Sequence, residues 1–428
     1  TPLYSSAASD VYKRQPTACW VMKPTPTDQH TVLPAPNPIA AAHSHRLLEH
    51  LRSEIVAAGG SIPFLRFMDL ALYAPGLGYY RAGARKFGPD GDFITAPELS
   101  PLFSHCLARQ CQQILNQTEG GAILELGAGT GAMACDVLLE LERLDSLPER
   151  YAILELSGEL RERQRQTLTR RIPHLLERIV WLDALPESGW RGVILGNEVL
   201  DALPVERFRI TAAGPRRLGV SFRCGSSSET AGDGGLTWTE GTPDPTLTAT
   251  IAQIEAEIGW RLPEGYISEY VPQLGSWLKG IAESLTVGAI LLIDYGYSRR
   301  EYYHPERTDG TLLCHYRHRV HGDPLILPGL QDITTSVDFT AAAAAGQAAG
   351  LRLAGYTSQN YFLFGCGLME ELVQTDPDDT VRYLEQVRQV KLLTLPGEMG
   401  ERFKAMALTR GIDQPLRGFS FRDQRDRL

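Results

Sequence analysis

The segment Ile123 to Met133 constrains this chain more than any other. An apolar run carries Glu125 and ends at Leu126. Glycine then stands at every second position, at 127, 129 and 131, and a helix-like run follows to Leu141. That order reads as strand, tight loop and helix. With no side chains at Gly127, Gly129 and Gly131, a ligand can lie directly on backbone.

Downstream of this loop the pattern alternates. Strands are expected at Ala122–Leu126, Tyr151–Leu156, Ile179–Leu182 and Gly192–Leu195, with a charged helix over Glu159–Arg171. Alternation of this kind implies a parallel sheet covered by helices. Further strands are expected at Phe208–Ile210, Gly219–Arg223, Leu236–Trp238, Gly288–Tyr295 and Leu351–Thr357, with a flexible linker over Gly225–Gly235. Helices are expected at His43–Ala58, Ile62–Tyr73, Pro101–Asn116, Pro245–Ile258, Val271–Leu285, Phe339–Ala349, Asp379–Val390 and Met399–Arg410. Ser100 and Pro101 suit the cap and first position of a helix.

A chain of 428 residues has ample material for a core. Its formal charge of −9 argues against nucleic acid as the main partner, because phosphate binding needs concentrated basic surface. No apolar run approaches the ~20 residues of a membrane helix. The seven cysteines are scattered without a CxxC pair and are expected as reduced thiols. The first 40 residues hold seven prolines and no signal-peptide stretch. Ser5–Gln15 resembles translated adapter sequence, so Met22 is the expected native start; a disordered leader or a transit peptide is the other reading.

Two ligands commonly occupy such a glycine loop. A dinucleotide needs G-x-G-x-x-G/A, which Gly127, Gly129 and Ala132 meet loosely. S-adenosylmethionine calls for an acidic residue two before the first glycine, which Glu125 supplies. Its sulfonium and ammonium groups are stabilised by carboxylates, whereas Glu125 would repel a pyrophosphate. The second expected strand leads to Glu155, placed for ribose hydroxyls, and the third leads to Asp183, placed for an adenine amino group. The methyl donor is the favoured ligand. Glu155 also reads as a helix cap, and Asp183 as a loop turn.

A second constellation follows the fourth strand. Asn197, Glu198 and Asp201 fall where the active edge of the sheet is expected, and one helical turn would place both acids on one face. Acceptor-only carboxylates suit an amine or guanidinium and can orient an attacking nitrogen. The bland reading, held equally open, is a helix start capped by Asn197. Thr95, Pro97 and Glu98 are expected to fold over the donor pocket.

At this point the chain resembles the MidA-like family of S-adenosylmethionine-dependent methyltransferases. The resemblance rests on runs in order: 62–80 and 91–100, ELGAGTG (125–131), ILELSGELRERQ (153–164), NEVLDALPVERF (197–208), IDYGY (293–297), His318 and His321, PGLQDIT (328–334), VDF (337–339) and PGEMGERFK (396–404). It covers about residues 45 to 410. It implies a class I methyltransferase that modifies protein arginine, since the mitochondrial member is an assembly factor that dimethylates arginine on a complex I subunit. Two departures stand out. Gly158 replaces a frequent proline, and Val199-Leu200 replace the aromatics of the mitochondrial members, which could reshape the acceptor pocket.

The expected fold is therefore α/β, a Rossmann-like class I methyltransferase sheet with an N-terminal helical cap and an inserted subdomain. The expected division is a leader (1–40), a helical cap (41–118), a donor-binding half (119–210), an insertion with hairpin and helices (211–287) and the remaining strands with the C-terminal region (288–428). Cys314, His315, His318 and His321 are expected to lie in a polar loop, with no metal site, because Gly322-Asp323-Pro324 argues against a helix there. The expected partner is a protein substrate; the sequence leaves the oligomeric state open. The expected location is the cytoplasm for a bacterial chain and the mitochondrial matrix for a eukaryotic one. Two other functions stay open: a donor-binding assembly protein without catalysis, and a small-molecule methyltransferase.

Overall fold

The computed structural model describes residues 33–81, 95–223, 235–373 and 379–428. Expectations for the first 32 residues, for 82–94 and for most of the 225–235 linker lie outside these.

The main sheet has seven principal strands: β1 (Ala122–Leu126), β2 (Tyr151–Leu154), β3 (Ile179–Leu182), β4 (Trp190–Asn197), β5 (Leu285–Tyr297), β6 (Arg352–Ser358) and β7 (Phe403–Arg410). Their order is β3-β2-β1-β4-β5-β7-β6, with Val337–Asp338 pairing to the end of β5. All neighbours run parallel except β7, which is antiparallel to both β5 and β6. This is the α/β sheet expected from the alternating pattern.

Side chains leave successive strand positions on opposite faces. Ile123, Ile153, Val193, Leu195, Leu291 and Ala407 pack in one cluster with helices Pro101–Gln117 and Ala132–Arg143. Leu124, Ala152, Ile194, Ile290, Leu292 and Met406 pack in another with helices Leu274–Ser284 and Phe339–Ala348. Both faces are dry, so these strands read as continuous apolar runs.

One expected element is overturned. Met399–Arg410 was expected as a helix, but only Met399–Arg402 is helical, and Phe403–Arg410 is the inner antiparallel strand β7. Its Ala, Met and Leu residues carry helix propensity. Burial on both faces removes the alternation that would mark a strand, and pairing with two neighbours overrides propensity.

The register sets the site. Leu126 pairs with Gly196 and Gly196 with Leu292, so the carboxyl ends of β1, β4 and β5 share one rim. Strand order reverses between β1 and β4, the place where open α/β sheets bind ligands. Above that rim sits a second unit. Helices Pro38–Ala57 and Phe64–Tyr73 pack with a five-stranded antiparallel sheet built from 62–63, 206–211, 214–222, 236–240 and 267–270. Residues of the expected cap (Leu51, Phe67), of the insertion (Val220) and of the later hairpin (Cys314, Ile333) share one hydrophobic cluster. Cys314 to His321 is a β-hairpin rather than a loop, with Arg317 and His318 in the left-handed region at its turn. Among the described residues no helix is long and apolar enough to cross a membrane.

Candidate functional site

The glycine loop leaves β1 with left-handed backbone at Gly127, Gly129 and Gly131. At Gly129 (φ +52°) an added Cβ would meet no protein atom within 4 Å, and the residue lines a cavity of about 510 Å³. This is open space over bare backbone. Gly131 has a different task. It caps helix Ala132–Arg143, and a Cβ there would come within 3.4 Å of Gln164 Cα, so its absence lets two helices approach. Gly131 is not among the cavity-lining residues, whereas Gly127 and Glu125 are.

Glu125 is 1% exposed and accepts a 2.7 Å hydrogen bond from the Tyr151 hydroxyl. Burial pushes its carboxyl up to about 7, against the pull of that hydroxyl, and nearby Glu155 adds to the rise. A cation within reach would draw it back down.

Glu155 lines the same cavity just past β2. One oxygen accepts from the Ser157 N–H at 2.9 Å and the other from Gln164 Nε2 at 3.0 Å. The Leu156 N–H also donates to this carboxylate. The helix cap is Ser157 rather than Glu155. Gln164 also donates to the Gly129 carbonyl and accepts from Trp181 Nε1, tying the glycine loop to β2 and β3. Spacing alone gave no sign of that role. Asp183 is placed elsewhere. Its side chain is 92% exposed, pairs with Arg161 at 2.8 Å, and lies outside the cavity lining. β3 ends at Leu182, so Asp183 falls in the following bend and turns to solvent.

The 197–201 segment is not helical. Glu198 takes φ +52°, an uncommon conformation for a residue with a side chain, and its N–H donates to the Ile293 carbonyl. The single helical face expected for Glu198 and Asp201 is therefore not formed, nor is a helix start at Asn197. Asp294, 1% exposed, holds the turn in place. It accepts from the N–H groups of Leu200, Asp201 and Tyr295 at 2.9–3.2 Å. Asn197, Glu198 and Asp201 all line the same cavity as the glycine loop.

Their electrostatics are unusual. Burial, then the Asp201 charge, pushes Glu198 up to about 8; hydrogen bonds from Asn197 and the Ala96 N–H oppose this. Burial takes Asp201 to about 6, held down by the Tyr295 hydroxyl at 2.8 Å. Asp201 Oδ1 and Asn197 Oδ1 are buried with no hydrogen-bond partner. Unsatisfied buried acceptors cost free energy until a donor arrives.

Thr95, Pro97 and Glu98, in or beside the short helix Ala96–Leu99, also line the cavity. The Ala96 N–H bonds Glu198, so this segment is tied to the acidic turn. Leu156, an apolar side chain 63% exposed at the cavity edge, offers a flat contact to a ring such as adenine. Bare backbone at Gly129, carboxylates at Glu125 and Glu155 and this apolar edge together fit a cationic nucleoside donor. A charge-rich pyrophosphate would meet two buried acids.

Comparisons with known proteins agree. Residues 106–357, more than half of the chain, match the family model described as "Putative S-adenosyl-L-methionine-dependent methyltransferase". A Burkholderia thailandensis protein crystallised bound to S-adenosyl-homocysteine is 44% identical, with a TM-score of 0.87 over 92% of this chain and 100% of that one. Among curated proteins, the human "Protein arginine methyltransferase NDUFAF7, mitochondrial" is 29% identical over 88% of this chain and 85% of its own length. The rat protein of that name is 28% identical over 87% and 86%. With the sheet order, the bare glycine loop and these matches together, the chain belongs to this family of S-adenosyl-L-methionine-dependent methyltransferases.

Proposed function

We propose that this methyltransferase modifies a protein nitrogen, an arginine guanidinium, held by Asn197, Glu198 and Asp201. The observation that carries the reading is the pair of unpartnered buried acceptors, Asp201 Oδ1 and Asn197 Oδ1, in the same cavity as the glycine loop. A donor-rich, cationic group satisfies both at once. The names of the human and rat relatives point the same way. By the family resemblance, the acceptor is a subunit of a respiratory-type complex under assembly. The bacterial form would act in the cytoplasm.

Gly127 and Gly129 would carry the donor on backbone, Gly131 would shape the loop, and Glu125 and Glu155 would hold its ammonium and ribose. Thr95, Pro97 and Glu98 would limit water. Asp183, turned to solvent, would at most close the edge of the pocket through Arg161. The bound donor supplies a methyl carbon on a sulfonium sulfur that leaves as a neutral thioether. Asp201 and Asn197 align the acceptor nitrogen, whose lone pair forms the new C–N bond as the C–S pair returns to sulfur. The methylated nitrogen then sheds one proton. Glu198, which titrates at about 8, takes it in its ionised form, the fraction of which grows as pH rises toward 8. Holding the two reactants in line contributes roughly 7–11 kcal/mol to the rate.

The test is transfer of label from methyl-tritiated donor into lysate of cells lacking the protein, with wild type and Glu198→Gln. Label in protein that falls with Glu198→Gln supports the reading. Donor binding without transfer would make this an assembly protein, and label confined to the low-mass fraction would make its acceptor a small molecule.

A further inference from the structure

Beside the acidic turn, the cavity has an aromatic wall. Tyr73, the last residue of helix Phe64–Tyr73, and Tyr80, in the 3-10 turn Tyr79–Arg81, are stacked. Their ring centroids lie 5.5 Å apart at 24°. Both rings are half-buried and both line the cavity, and Tyr79, fully buried, braces Tyr80 edge-on at 5.1 Å. Neither hydroxyl is loose. Tyr73 donates to the Ala202 carbonyl at 2.8 Å, one residue beyond Asp201. Tyr80 donates to Asp332 Oδ1 at 2.8 Å. Burial and the charges of Asp332 and Asp201 push both phenols well above their usual range, so they stay neutral and act as ring faces rather than bases.

We infer that the Tyr73–Tyr80 pair is the platform on which the acceptor's guanidinium lies, and that it sorts arginine from lysine. The inference rests on the proposed nitrogen acceptor and goes beyond it by naming what selects the side chain. A guanidinium is planar, weakly hydrated and stacks on aromatic faces, whereas a lysine ammonium is a compact, strongly hydrated point charge. Rings already fixed by hydrogen bonds lose little freedom on binding. A planar cation on this wall turns its N–H edge toward Asp201 Oδ1 and Asn197 Oδ1, both buried acceptors without partners. Because Tyr73 bonds the Ala202 carbonyl, the platform and the acidic turn are held as one unit.

The test uses full-length protein saturated with S-adenosyl-homocysteine, with N-acetyl-arginine amide and N-acetyl-lysine amide as probes, followed by ligand-observed NMR. Wild type should bind the arginine amide about tenfold more tightly than the lysine amide. Tyr80→Leu should weaken arginine binding about tenfold while S-adenosyl-homocysteine affinity and melting temperature hold. Tyr80→Phe, which keeps the ring, should stay within about threefold of wild type. If Tyr80→Leu destabilises the fold, Tyr73→Leu serves in its place. Arginine binding unchanged by loss of either ring would overturn the platform while leaving the arginine reading intact. Wild type binding neither amide, or both equally, would overturn the guanidinium acceptor itself and the platform with it.

Discussion

Glu198 gives a stability prediction that needs no substrate. Its carboxyl titrates near 4.5 when unfolded and at about 8 in the fold, chiefly through burial. Between those values the folded chain binds more protons than the unfolded one. The associated stability is therefore fully present below about pH 4.5 and is lost as pH rises toward 8. Each unit is worth about 1.4 kcal/mol, so the move from about pH 5 to about pH 7.5 costs wild type about 3 kcal/mol through this one group. Glu198→Gln keeps the shape and an oxygen for Asn197 and Ala96 but cannot ionise. Asp201, which remains in both proteins, adds its own slope to each. For 428 residues at about 2.1 cal/mol/K each, the unfolding entropy is about 0.9 kcal/mol/K, so 3 kcal/mol is about 3 °C. Donor-free melting by calorimetry at the two pH values should show wild type losing about 3 °C more than the variant. Equal losses, to within a degree, would refute the claim that the acidic turn carries a charge-averse carboxyl.

Two other substitutions probe the two halves of the cavity. Gly129→Val places a branched side chain in the open space above the loop and strains a left-handed position; calorimetry should show S-adenosyl-homocysteine affinity lowered at least about 100-fold (roughly 3 kcal/mol), and unaltered affinity would sink the pocket assignment. Tyr295→Phe removes the hydroxyl that holds Asp201 down; the acid limb of the kcat/KM profile should move up by about a unit, whereas a merely structural role would lower the rate without moving the limb.

Legibility followed the range over which each feature is encoded. β1 and its glycine loop were readable because strand, turn and helix signals lie within about twenty consecutive residues. β3 and helix Pro245–Ile258 have the bounds expected from local pattern. β7 was not readable, because its strand character comes from β5 and β6 on either side. The acidic turn was found by residue type, but its geometry was misjudged. What shapes it is Asp294, 93 positions beyond Asp201, accepting backbone N–H groups, and no local signal reports that. Asp183 shows the converse: an acid at a strand end was expected to face the ligand, and an arginine six positions beyond Glu155 drew it outward. The aromatic wall was hidden most deeply. Tyr80 and its partner Asp332 are 252 positions apart, and only folding of the N-terminal helices against the later hairpin brings them to one cavity.

The central claim is that this cavity delivers methyl groups to arginine in a protein. Its most direct measurement is mass spectrometry of methylated peptides from cells with the protein, without it, and with Asp201→Asn in its place. The account predicts at least one arginine peptide methylated only when wild-type protein is present and lost in the variant. Arginine methylation identical in all three, with a difference appearing only in small molecules or on another residue type, would contradict it.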